Sequence, residues 1–302
     1  MGHPPVRGTQ SFVHTLSAVW RRPGLTALEV AWRWLFGAPA AALIVYEGLR
    51  VVRETQVDVA ALKGMSVLDP SAAAVTLADA GAALMPAALR VAVWLAPLLL
   101  VAWVVISSLG RTVVLRRVDS RLHARVGTLM VLQAVRTVAL AGSFVVWFLC
   151  LRGAAAVAVN GPIVGGRDPN LVEYFALVIV ATLALFVLWA VVSWALSVAP
   201  LLAMLLGLGP SASLAAAWKL GPVRSKLVEI NLVMGIVKIA LIVLAMVLSA
   251  SPLPFESVAT PEFMTWWYGV ATVLYLLASD LFHVVRQASY LEMLRAYDDA
   301  AS

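Results

Sequence analysis

Long apolar runs broken by short polar connectors dominate this chain. The longest uncharged run extends from Tyr174 to Trp218, with Glu173 and Lys219 at its borders. As one straight helix it would be roughly twice the thickness of a 30 Å hydrocarbon core. It therefore predicts a crossing over 174–198 and a break marked by Pro200, Gly207, Gly209 and Pro210. A short segment at the inner interface and an amphipathic helix over 211–220 complete this stretch. Further apolar runs predict crossings over 91–109, 127–151, 230–250 and 263–285. A first crossing over 30–50 is the shortest, because its uncharged part, Trp34 to Tyr46, covers about 20 Å. Arg33 and Glu47 must snorkel to opposite interfaces for it to span, and Gly37 and Pro39 predict a kink. The pattern gives an all-α polytopic integral membrane protein with about six transmembrane helices and added interfacial helices.

The connectors carry their own signals. Residues 9–20 place Phe12, Val13, Leu16, Val19 and Trp20 opposite Ser11, His14 and Ser17, the pattern of an amphipathic helix lying in the membrane interface. Arg21, Arg22, Pro23 and Gly24 end it, and Thr26 with Glu29 matches a capping box that opens the next helix. The organisation expected is a cytoplasmic amphipathic segment over 1–25, a transmembrane domain over 26–297 and a tail over 298–302. Residues 51–88 read as a polar connector in which Asp69 and Pro70 start a short helix that stops at Gly81. Residues 152–170, with Asn160-Gly161-Pro162 and Gly165-Gly166, read as a turn-rich loop. Thr260, Pro261 and Glu262 open the last crossing, which extends as a helix towards Tyr297.

Composition supports the pattern: 62% of residues are hydrophobic and 13% charged, where a soluble domain carries roughly a quarter charged. Crossings and short connectors consume the length, leaving no room for an independent soluble catalytic domain. The net charge of +6 does not point to nucleic acid, because the basic residues sit at helix ends rather than on one face. They act instead as topology signals. With both termini cytoplasmic, the inner side holds Arg7, Arg21, Arg22, Arg111, Arg116, Arg117, Arg121, Arg125, Lys219, Arg224, Lys226, Arg286 and Arg295. The outer side holds only Arg50, Arg53, Lys63, Arg90, Arg152 and Arg167. This bias predicts the inner membrane of a bacterium with both ends inside. The single Cys150 excludes an intrachain disulfide, and the polar residues 1–10 do not read as a cleavable signal peptide.

Soluble catalytic signatures are absent: no P-loop, no HExxH, no GxSxG and no dinucleotide fingerprint. His3, His14, His123 and His283 are scattered over different segments, so neither a metal nor a cofactor is expected, and no catalytic set is assigned. The chemistry lies in the intramembrane polar residues. Arg136 sits inside the third crossing near Gln133, and Lys238 near the centre of the fifth with Asn231 and Gly235 on its face. Asp280 and His283 lie three apart in the sixth, with Ser279 and Gln287 continuing their face. A central Arg or Lys costs roughly 2.5–3.5 kcal/mol on the insertion scale, so each is expected to face the bundle or water and to meet a partner. Asp280 is the expected counter-ion, with Arg136 nearer its depth and Lys238 nearer in sequence. Two readings follow: a structural ion pair, or a proton- or ion-coupled site in which Asp280 titrates beside His283. The basic residues Arg21, Arg22, Arg116, Arg117, Arg224 and Lys226 suit anionic headgroups or a cytoplasmic partner, or they simply orient the bundle. Small residues such as Gly37 and Ala41 permit close helix approach, which suits internal packing and dimerisation equally.

The segment APLLAMLLGLGPSASLAAAWKL, Ala199 to Leu220, followed by a long crossing, carries a family resemblance. It is similar to the multi-pass membrane domains found alone or fused to bacterial glycerophosphoryl diester phosphodiesterases. In those a Pro-bearing helix, a Gly-Pro turn and a short helix ending near Trp precede the next crossing. The run Arg21 to Leu25, RRPGL, fits the same layout. The resemblance implies architecture; it brings no phosphodiesterase domain and no enzymatic residue. The reading is a non-enzymatic scaffold or accessory subunit, associating with membrane lipids or another membrane protein. The alternative is a small secondary transporter or permease-like protein using Asp280, His283, Arg136 and Lys238, with a membrane-embedded enzyme third. A reporter fused after Pro162 is expected to read external and one after Arg117 cytoplasmic; the reverse pattern overturns this topology.

Overall fold

The computed structural model describes residues 8–55, 57–64, 70–220, 223–250 and 260–301. Every regular element among them is helical: α1 (Gly8–Trp20), α2 (Pro23–Glu54), α3 (Val59–Lys63), α4 (Pro70–Val118) and α5 (Val126–Ala155). A π-helical turn (Ala156–Asn160) leads into α6 (Gly161–Val164), followed by α7 (Leu171–Leu206), α8 (Pro210–Trp218), α9 (Val223–Ala250) and α10 (Pro261–Ala301). Five helices are long and apolar enough to cross a bilayer: Pro23–Glu54, Val75–Val118, Val126–Val164, Leu171–Leu206 and Pro261–Ala296. The apolar run of α9, Val233–Leu248, is shorter, about 24 Å against a 30 Å core. The protein is an all-α membrane protein. It divides into two compact units, one of Met1–Val30 with Ser108–Ser302 and one of Ala31–Ser107.

Ala31–Ser107 brings the middle of α2 to α4 through aromatic side chains. The Trp103 ring lies 5.9 Å from Trp32 and 5.2 Å from Phe36, centroid to centroid. These contacts account for two of the chain's tryptophans as packing residues.

In the larger unit the buried core does not run the length of the crossings. On α7, Trp194, Val198, Ala199, Leu202, Ala203 and Met204 are buried, whereas Leu183, Phe186 and Val187 are exposed. α10 repeats the division, with Val284, Val285, Leu291 and Leu294 buried and Leu274 and Leu277 exposed. α5 buries Leu129 and Leu132 near its start, and α9 buries Leu227, Ile230 and Met234 near its own. Together with Leu115, Leu122, Ala217 and Leu220 these form one cluster at one end of the bundle. The remaining lengths of α5, α7, α9 and α10 face outward, as expected where lipid, not water, is the competing environment. There the helices associate in pairs. The Trp147 indole N–H donates to Thr182 Oγ1 at 3.0 Å between α5 and α7, and the Trp267 indole N–H donates to the Leu248 carbonyl between α9 and α10.

Several local expectations are corrected. α1 packs on α10 with a different face inward from the one expected. Thr15 is buried and its hydroxyl donates to Glu292 Oε2 at 2.8 Å, Val19 joins the core, and Val13 and Trp20 stay exposed. α2 starts at Pro23, so Thr26 and Glu29 are interior residues and form no capping box. Proline at the first helical position is the stronger start signal. α4 passes through Gly81 without stopping, because a lone glycine costs only about 1 kcal/mol in an otherwise Ala- and Leu-rich helix. Much of the loop expected over 152–170 is helical, and the π-turn leaves the Ala158 carbonyl to accept from Asn170 N at 2.8 Å. α7 runs straight through Pro200 and ends at Gly207, which adopts φ +65°, a left-handed conformation that glycine takes at no steric cost. His123 N closes that end by donating to the Met204 carbonyl at 2.9 Å. The tail expected over 298–302 continues α10 to Ala301. The Asp69 cap lies outside the described residues.

If the core is confined to this layer, Leu132→Ala should lower the Tm of the detergent-solubilised protein, with a cost of about 2–5 kcal/mol. Leu183→Ala, on an exposed stretch of α7, should hardly move it. Equal losses from both would show that the core extends along the crossings.

Candidate functional site

Several buried or half-buried polar residues of the larger unit lie along the second half of α10. Asp280, His283 and Gln287 fall on one face at three- and four-residue spacing, and Arg286 and Tyr290 form a neighbouring stripe. Asp280 is buried, 5% exposed. Glu29 of α2 is more deeply buried, 2% exposed, and its Oε1 lies 3.7 Å from His283 Nε2.

The contacts of His283 define its tautomer. Arg286 Nη2 lies 3.1 Å from His283 Nδ1. A guanidinium can only donate, so Nδ1 accepts and the ring proton of the neutral imidazole sits on Nε2. That N–H faces Glu29. The Gln287 amide atom 2.5 Å from Nε2 is then its carbonyl oxygen, an assignment the hydrogen-bond pattern requires. His283 thus links an acidic residue of α2 to a basic residue of its own helix.

Arg136 of α5 is brought to α10, as expected, but not to Asp280. It lines a small cleft with Arg111 of α4, Ser197, Pro200 and Leu201 of α7, and Arg286, Gln287 and Tyr290 of α10. Arg136 makes no hydrogen bond or ion pair among the described residues, so the expected Arg136–Asp280 pair does not form. The reason is angular: Asp280 precedes Arg286 by six residues, about 120° around the helix at 3.6 residues per turn. Lys238 is exposed on α9 and does not line this cleft. Among the described residues no group of three or more His, Cys, Asp or Glu side chains is placed to hold a metal ion.

A second feature lies where α1 meets α2. Arg22 and Arg117 border an open groove whose other walls are Gly24, Leu25, Leu28 and Val113, with a cavity volume of about 630 Å³. Arg21 and Arg116 are exposed nearby in sequence, while Arg224 and Lys226 fall in the first turn of α9 with side chains outside the described residues. α1 is tied to α10 by Thr15 with Glu292, and the connector after α4 is tied to α10 by the ion pair of Asp119 with Arg295.

Sequence reasoning missed Glu29, Arg111 and Arg286 as members of the polar core. Pro23 as a helix start would have placed Glu29 inside α2, a turn and a half from its end. Arg111 and Arg286 carry no such signal, because a basic residue near a helix end reads as a topology marker. No family model matches this chain, and no curated protein or solved structure matches it.

Replacing Glu29 by Ala removes the carboxylate that faces His283 Nε2, and losing a buried polar contact of this kind costs about 1–3 kcal/mol. A double-mutant cycle of Glu29→Ala and His283→Ala should give a coupling of about 0.5–3 kcal/mol. Strict additivity in thermal melts would show that the two do not interact.

Proposed function

We propose that the protein is a non-enzymatic multi-pass protein of a bacterial cytoplasmic membrane, serving as a scaffold or accessory subunit that holds anionic lipid at its inner face. In this reading α9 is the sixth crossing and both termini are cytoplasmic. The observation that carries it is the groove between Arg22 and Arg117. Two guanidinium groups offer forked donors matched to a phosphate, and Leu25, Leu28 and Val113 provide an apolar wall for an acyl chain. Basic residues at the membrane surface each attract anionic lipid by about 1 kcal/mol. The layout similar to the membrane domains of bacterial glycerophosphoryl diester phosphodiesterases belongs with an accessory role of this kind.

A second reading, an ion- or proton-coupled transporter, draws support from the buried Asp280 and Glu29 beside His283. It needs a polar route across the bilayer, and the outward lengths of α5, α7, α9 and α10 offer mainly apolar side chains. On this reading Asp280→Asn should abolish pH-dependent transport in liposomes while leaving the fold intact.

Native mass spectrometry of the protein extracted from its own membrane in mild detergent is expected to retain a defined anionic phospholipid or a stoichiometric protein partner. Arg22→Gln with Arg117→Gln should lose the lipid. Gly24→Phe should do the same without removing charge, since a Cβ at Gly24 meets nothing within 4 Å. A lone protomer or homo-oligomer carrying neither lipid nor partner would sink the scaffold reading.

A further inference from the structure

The groove between Arg22 and Arg117 does not end at Arg22. A second cavity, of about 230 Å³, continues from it, and Arg22 and Leu25 line both. The end of α4 follows the same course: Val113 and Arg117 border the groove, and Val118 and the following Asp119 border the cavity. The groove is apolar beyond its two arginines, whereas the cavity ends in polar side chains. Asp119 and Arg295 there are paired with each other, and Asp119 Oδ1 also accepts from Arg121 N at 3.0 Å. Glu292 differs. It is exposed, its Oε2 accepts from Thr15 Oγ1 at 2.8 Å, and its Oε1 makes no hydrogen bond or ion pair among the described residues. The Arg22 side chain is likewise exposed and makes none among the described residues. Thr15 and Arg22 stand seven residues apart, about two helical turns, so the backbone sets the carboxylate well away from the arginine.

We propose that groove and cavity together hold one phospholipid with a single phosphate and an uncharged polyol headgroup, of the phosphatidylglycerol kind. This rests on the lipid reading above and narrows its ligand. The acyl chain follows Leu28 and Val113, the phosphate sits between Arg22 and Arg117, and the polyol enters the cavity. Gly24, the second residue of α2, adds the positive end of a helix dipole beside the phosphate. Charge balance selects the ligand. Arg22, Arg117 and Arg295 against Asp119 and Glu292 leave one positive charge, which one phosphate diester neutralises. A second phosphate, as in cardiolipin, would have to enter beside Glu292, where like charges repel. An amine headgroup would pair with Glu292 but cancel the charge of its own phosphate, leaving the site unbalanced. A hydroxyl donates to Glu292 Oε1 without that cost. The cavity has the room, since a single water needs only about 10–15 Å³.

The test is competitive lipid binding to the full-length protein, delipidated in mild detergent and read by native mass spectrometry. An equimolar mixture of phosphatidylglycerol, phosphatidylethanolamine and cardiolipin is offered. Wild-type protein should retain phosphatidylglycerol several-fold over each of the others. Glu292→Lys turns the headgroup end of the cavity from negative to positive and should move the preference several-fold towards cardiolipin. Ala18→Leu narrows the same cavity without a change of charge and should remove the preference for phosphatidylglycerol. Both positions are exposed, so melting temperatures in detergent should stay at the wild-type value, and Ala18→Leu keeps the test valid if Glu292→Lys melts lower. Equal retention of the three lipids, a preference for the ethanolamine lipid, or a preference that neither variant moves overturns the headgroup assignment and leaves the groove standing. Wild-type protein that retains no lipid removes the groove and this proposal with it.

Discussion

A leucine in a membrane-spanning helix gains little by leaving lipid for a neighbouring leucine, and this constraint arranges the larger unit. The hydrophobic effect needs water as the competing environment. In this protein apolar burial is accordingly concentrated at one end, where helix termini, α1, α8 and the connector after α4 meet. Between 0 and 22% of the apolar window of each candidate span is buried inside the protein. The exposed lengths rely instead on helical hydrogen bonding and on point contacts such as Trp147 with Thr182. Packing of soluble-protein quality, with Ala203 and Met204 wholly inaccessible, is reached only in the layer at the end.

The same layer tolerates charge. Glu29 and Asp280 are buried, and His283 and the cleft arginines are half-buried, so their interactions are stronger than at an open surface. His283 divides the set, accepting from Arg286 on one ring nitrogen and presenting its N–H to Glu29 on the other. Asp280 and Arg286 leave the same helix in different directions. A single helix carries both because a residue six positions away points about 120° elsewhere.

Much of the fold was legible in the sequence, for reasons that differ by element. The class followed from apolar run length alone, and the stop at Gly207 and restart at Pro210 followed from residues whose backbone geometry leaves few options. Where reading failed, two local signals competed. Thr26 and Glu29 match a capping box, but Pro23 fixes the helix start earlier and turns Glu29 into a buried carboxylate. Gly81 and Pro200 are weak breakers that neighbouring helix formers override. The site was half legible: Arg136, Asp280 and His283 stood out as charges in apolar runs. Their pairing depends on helix rotation and inter-helix contact, which a one-dimensional pattern does not encode. Arg111 and Arg286 were hidden by position, since basic residues near helix ends have a simpler explanation.

Confinement of the core to one end has a mechanical consequence. Helices fastened at one end and paired only loosely beyond it behave as levers hinged on a stiff base. The spacing of their free lengths is then governed by the lateral pressure and thickness of the surrounding bilayer, and not by side-chain complementarity. Lipid composition thereby becomes part of the tertiary structure.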